Sequence, residues 1–161
     1  MTAWRALDGS ALRYLVTRLR ELPWQWQASD LPAVAEALGW EVTHRSPDGS
    51  ALANTGEFGG REVTVLGRDG AVQTVSVQVS DSAGQRTAEG RAFLRDAFAE
   101  NVAALTDLLG EPTKRRLGDR PTVRWRDDDQ TVSVLGFGNS ILVTIAPTAV
   151  QDRLDLAEAA G

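Results

Sequence analysis

The chain contains no cysteine, and only one histidine, His44, one lysine, Lys114, and one tyrosine, Tyr14, among 161 residues. Without cysteine there is no disulfide and no thiolate metal site, so the apolar core alone must hold the fold, as suits a reducing cytoplasm. A catalytic triad or histidine metal site would need His44 to have partners, and no H-x-E, H-E-x-x-H or C-x-x-C pattern is present. His44 therefore reads as an ordinary residue near the end of a strand. Long hydrophobic runs are also missing: the longest mostly apolar stretch, Ile141 to Pro147, is far too short to cross a bilayer. The opening residues, Met1-Thr2-Ala3-Trp4-Arg5, predict no signal peptide, and no N-x-S/T sequon occurs. The expected location is cytoplasmic.

What is present is the composition of a globular domain. An apolar fraction of 42% and a charged fraction of 24% exclude a wholly disordered chain. The length fits one domain spanning residues 1–161, burying roughly two thirds of its unfolded surface. A net charge of −5 favours solubility and disfavours nucleic acid as a partner. The basic residues are scattered, apart from Lys114-Arg115-Arg116. Arginine in place of lysine, with abundant alanine and glycine, fits a GC-rich bacterial genome.

Periodicity predicts an α+β fold. A first helix is expected from Asp8 or Ser10 to Leu22, with Leu12, Leu15, Val16 and Leu19 on one face and Pro23 ending it. A second follows the cap at Ser29 or Asp30 and stops at Gly39. Strands are expected over Trp40–Arg45, Ala51–Thr55, Arg61–Gly67 and Ala71–Ser80, the last two forming a hairpin. A long helix, Thr87–Leu109, precedes a three-strand meander over Thr122–Arg126, Thr131–Gly136 and Ser140–Ala146. Thr148 and Gln151 have capping-box spacing for a last helix with Val150, Leu154 and Ala157 inward. Short connections imply an antiparallel sheet with the helices packed on one face. The other face would then carry Thr74, Ser76, Gln78, Ser133, Arg124 and Arg126.

No catalytic motif emerges. The glycine groups form neither G-x-G-x-x-G nor a P-loop, and no G-x-S-x-G elbow occurs. Asp127, Asp128 and Asp129 offer hard-cation oxygens but lack the alternation of an EF-hand, so they read as a solvated hairpin turn or a charged contact. Lys114, Arg115, Arg116 and Arg120, just after the long helix, could grip a phosphate, but they also suit the negative end of the helix dipole without any ligand, and they read as the latter. Trp24 and Trp26 read as a core plug or, where exposed, as interface anchors. No metal and no cofactor is implied. In the order and spacing of Trp4, Leu22, Trp24-Gln25-Trp26, Leu38-Gly39-Trp40, Leu109-Gly110-Glu111-Pro112-Thr113 and Val123-Arg124-Trp125-Arg126, the chain resembles a group of small actinobacterial proteins of unassigned function. Members look like immunity-type and accessory proteins of polymorphic-toxin and secretion neighbourhoods. The resemblance supplies no catalytic residues.

These readings predict a non-enzymatic protein-binding module, most concretely an immunity-like protein that sequesters a toxin. Its partner is expected to be a protein, with neither nucleic acid nor membrane involved. The candidate partner surface comprises Arg124, Arg126, Asp127, Asp128, Asp129, Trp24 and Trp26. The alternatives are an enzyme or small-ligand-binding protein built from dispersed residues such as Arg124, Arg126, Asp127 and Glu57, and a secretion chaperone.

Overall fold

The computed structural model describes residues 4–56, 61–118 and 120–160; Glu57 lies outside them. Helix α1 (Gly9–Glu21) starts where the Asp8 side chain accepts the Ala11 amide, 2.8 Å away, and it buries Leu12, Leu15, Val16 and Leu19. A short 3-10 turn over Ala28–Asp30 leads into α2 (Leu31–Leu38), with Pro32 in its first turn. Gly39 ends α2 at a φ of 71°, a left-handed position that glycine adopts without strain.

Four strands follow: β1 (Glu41–Arg45), β2 (Ala51–Asn54), β3 (Glu62–Arg68) and β4 (Ala71–Gln78). Helix α3 (Ala88–Leu109), capped by the Thr87 hydroxyl, crosses to β5 (Lys114–Arg116), β6 (Thr122–Arg126), β7 (Gln130–Phe137) and β8 (Ser140–Pro147). Helix α4 (Thr148–Ala160) begins at the residue after β8. All eight strands form one antiparallel sheet in the order β1-β2-β3-β4-β8-β7-β6-β5. Two meanders thus lie side by side, joined where Val75, Ser76, Val77 and Gln78 pair with Ile145, Thr144, Val143 and Leu142. This is the α+β class that the sequence predicts. No helix among the described residues is long and apolar enough to cross a membrane.

Period-two alternation gives the sheet a core face and a second face. Val63, Val75, Val77, Val143, Val134, Val123 and Trp125 point to the core face, where α1, α2 and α3 cover them. The Trp125 indole N–H donates to the Gly110 carbonyl at the end of α3, 2.8 Å away. On the second face one row runs Leu52, Thr64, Ser76, Thr144, Ser133, Arg124 and Lys114 across the sheet. The expectation that the helices share one face holds for three of them. Helix α4 lies on the second face because its inward stripe is acidic and the strands beneath it carry arginine; only Thr148 of this helix is buried. Val150 is half-buried, whereas Leu154 and Ala157 are exposed.

Helix α3 also packs less completely than its apolar stripe predicts. Leu105 is fully buried, but Leu94, Phe98, Val102, Leu108 and Leu109 are only partly so. Leu94 and Phe98 wall a largely apolar cavity of about 290 Å³ over Pro121 and Ile141. Leu105→Ala should therefore cost about 2–5 kcal/mol, whereas Phe98→Ala, which removes a ring already beside open space, should cost less than the roughly 3–5 kcal/mol typical of a fully buried phenylalanine. Denaturant melts of the two variants check this order.

Candidate functional site

The second face is where the sequence-predicted charged residues meet. Two residues apart on β6, Arg124 and Arg126 project to the same side and find α4 waiting with Asp152, Asp155 and Glu158, three residues apart and so on one side of a helix. Arg126 forks onto Asp152, with Nη2 donating to Oδ2 at 2.9 Å and Nε to Oδ1 at 3.4 Å. Arg124 donates from Nη1 to Asp155 Oδ2 at 2.8 Å and from Nε to the Ser133 hydroxyl at 3.4 Å. A looser third rung joins Arg116 Nη1 to Glu158 Oε1 at 3.7 Å. The Arg124 side chain is 13% exposed and that of Arg126 48%. Neither arginine is a free anchor; both hold α4 in place.

The three aspartates complete the latch. Asp127 is committed to the fold: one carboxylate oxygen accepts the Asp129 and Gln130 amides, and the other takes Arg20 Nη2 at 2.9 Å, tying the turn to α1. The carbonyls of Asp127 and Asp129 accept the hydroxyl and the amide of Thr148, which starts α4. Among the described residues no three His, Asp or Glu side chains are grouped to hold a metal. Asp128 and Asp129 are exposed.

Trp24 and Trp26 lie elsewhere. Their rings meet at 4.2 Å because Trp26 adopts a left-handed φ of 57°, and both are partly buried against the core. The Trp26 carbonyl accepts the Val72 amide, stitching this segment to the start of β4. The tryptophans thus plug the core at the β3–β4 hairpin, and the structure does not bring them together with Arg124 and Arg126. His44 is exposed on the edge strand β1, with Nε2 3.3 Å from the Ser46 hydroxyl.

Two grooves flank α4. One, of about 450 Å³, runs between Val150, Arg153 and Leu154 of the helix and Arg68, Ala71 and Gln73 of the β3–β4 hairpin. The other, of about 270 Å³, has Arg116, Arg120 and Arg124 around it with Thr122, Ser133 and Thr144 on its strands. Arg120 is stacked over the Phe137 ring, 5.3 Å from its centroid. Sequence reasoning grouped Lys114, Arg115, Arg116 and Arg120 after the long helix but did not bring Arg124 to them, because it did not expect β5 as a strand. Its register, Lys114 beside Arg124 and Arg116 beside Thr122, is what turns alternate residues onto the face.

A carboxylate-bearing helix laid on an arginine-bearing sheet is the arrangement of an α+β domain with a polar, partly latched sheet face. The chain belongs to a family of unknown function, DUF6301, which it matches over residues 10–147; α4 lies wholly beyond the matched residues. No curated protein matches it. Among solved structures it is similar to a DUF4309 family protein, YjgB, from Bacillus subtilis, at 11% identity and a TM-score of 0.45, over 87% of this chain and 97% of that one.

Electrostatics predict how the latch responds to pH. Burial alone would raise the Asp155 carboxyl, but hydrogen bonds from Gln151 and Arg124 and the charges of Arg124 and Lys114 outweigh it and hold it below its ordinary 3.8. In the same way, burial would raise Asp127, but the Gln130 and Asp129 amides and Arg20 keep it low. A depressed carboxylate stabilises the fold fully above its unfolded value and loses that contribution as pH falls through the folded one. Acidification below 3.8 should therefore loosen α4. Hydrogen exchange should report faster exchange over residues 150–160 in an Asp152→Asn, Asp155→Asn variant at neutral pH, with β4, β7 and β8 still protected.

Proposed function

We propose that the chain is a non-enzymatic protein-binding module whose partner docks on the half of the second face that α4 leaves open. The observation that carries this reading is the exposure there of Leu52 and Leu66, at 42% and 53%. Leu52 pairs with Thr64 and Leu66 sits two residues further along β3, so the two leucines are diagonal neighbours on one face. Leu154 of α4 is also 40% exposed, on the side of the helix that faces the β3–β4 hairpin. An apolar centre bordered by Glu62, Thr64 and Arg68 is the composition of a protein interface, with desolvation at the middle and charge at the rim setting orientation.

Relative to the sequence reading, the energetic centre moves from Arg124 and Arg126 to these leucines, since the arginines are engaged by α4. Within the class, an immunity-like role that sequesters a toxin, in the cytoplasm of an actinobacterium, is the concrete form we favour. The acidic net charge and the resemblance of the Trp24–Trp26 and Val123–Arg126 motifs support it. The chain would then block its target by covering it over a standard interface of about 1,600 Å² in total.

A Leu52→Arg, Leu66→Arg variant should fold like the parent, because both side chains are exposed, yet lose at least about tenfold in affinity, or roughly 1.4 kcal/mol. Capture from the native host identifies the partner, and calorimetry with circular dichroism as folding control measures the loss. Parent-like affinity of the folded variant removes this face; no captured protein removes the reading.

A further inference from the structure

The groove between α4 and the second meander carries an inference that stands whether or not a protein docks on the open half of the face. Three guanidiniums, those of Arg116, Arg120 and Arg124, border it, against the carboxylate of Glu158 in the opposite wall. Asp155 is taken up by Arg124, and Lys114 adds a further cation close enough to lower the Asp155 carboxyl. Positive charge is thus in surplus. It is also unevenly used. Arg124 is fixed and mostly buried by Asp155 and Ser133, Arg116 reaches its carboxylate only at 3.7 Å, and Arg120 makes no ion pair among the described residues.

The rest of the groove is chemically graded. Thr122 and Ser133 are buried hydroxyl residues next to the arginines, and Thr144 is hydrogen-bonded at 2.9 Å to Ser76 behind it. Leu135 and the half-exposed ring of Phe137 make the remaining wall apolar. Planar guanidiniums match tetrahedral oxyanions in forked pairs, and hydroxyls supply further donors. About 270 Å³ lies just under the range of drug-sized pockets and suits a small ligand. The geometry points to a binding site for a phosphate monoester, with the phosphoryl oxygens on Arg116, Arg120 and Arg124 and the organic group against Phe137 and Leu135. The ligand displaces Glu158 from Arg116, the weakest rung of the latch, and leaves the Asp152 and Asp155 rungs intact.

Such a site distinguishes a dianion from a monoanion of the same shape, because a phosphate monoester carries about −1.5 to −2 charges at pH 7. The full-length chain titrated with phenyl phosphate should show saturable binding and a raised melting temperature. Phenyl sulfate should bind at least about tenfold more weakly, having one charge less to satisfy three guanidiniums. Inorganic phosphate should bind more weakly than phenyl phosphate, lacking a group for Phe137. Arg120→Gln, which touches no rung of the latch, should weaken phenyl phosphate about tenfold, and Glu158→Gln should tighten it by removing the competing carboxylate. Arg68→Gln, on the far side of α4, should change nothing, which separates the site from the general field of the protein. A phosphotyrosine peptide that binds tighter than phenyl phosphate assigns the phosphoryl group to a modified protein; one that binds no tighter assigns it to a free metabolite. Absence of saturable binding at millimolar phenyl phosphate, or parent-like affinity in Arg120→Gln, overturns the proposal.

Discussion

The pairing of β4 with β8 is the contact on which the remainder depends. Each meander is built from local hairpins, but a four-stranded sheet with one apolar side has an edge to close and a core to finish. Residues 75–78 and 142–145 supply both at once. Val75 and Val77 meet Ile145 and Val143 on the core face, while Ser76 and Thr144 exchange a hydrogen bond on the other. That register makes the hydroxyl row continuous with Arg124, and it places the end of β8 so that Thr148 falls against the Asp127–Asp129 turn. Because the partners are far apart in sequence, the chain must close a long loop before the contact repays it, which makes this sheet slow to assemble compared with its hairpins.

Much of this architecture was legible from the residues. Alternation in Val75, Val77 and Val79, the leucine stripe of α1, the Pro32 and Gly39 punctuation of α2, and the extent of α3 each reflect local physics that tertiary structure did not override. Strand β5 was not legible. Lys114-Arg115-Arg116 has neither apolar alternation nor β-branching; it is a strand because it is an edge, where three charged residues need only one neighbour and where like charge discourages unwanted pairing with other chains.

The site was half legible. That Arg124 and Arg126 share a face follows from strand geometry, and so does their separation from Val123 and Trp125. What covers them did not follow, since α4 has too weak an apolar stripe to announce which surface it chooses. The signal was present in another form: Asp152, Asp155 and Glu158 at intervals of three, set against arginines at intervals of two. Matching an acidic helix period with a basic strand period identifies a pair of elements that apolar pattern alone leaves unpaired. The reading of the tryptophans as a core plug agrees with their packing against the core, although their geometry was not legible. Two indoles separated by one residue suggest an extended segment, and only the left-handed turn at Trp26 folds them onto each other.

One feature of the latch constrains its motion. Pro147 belongs to the strand and Thr148 to the helix, with no residue between them to act as a hinge. The Thr148 hydroxyl lies 2.7 Å from the Asp127 carbonyl and 3.0 Å from the Thr131 hydroxyl, so the helix is rooted in the sheet at its first residue. It cannot swing aside as a rigid lid. The arginines beneath are reached by loosening the helix rung by rung. The Glu158 rung at 3.7 Å, farthest from the root at Thr148, gives way before those of Asp155 and Asp152 at 2.8 and 2.9 Å, so that access is graded along the helix like a zip.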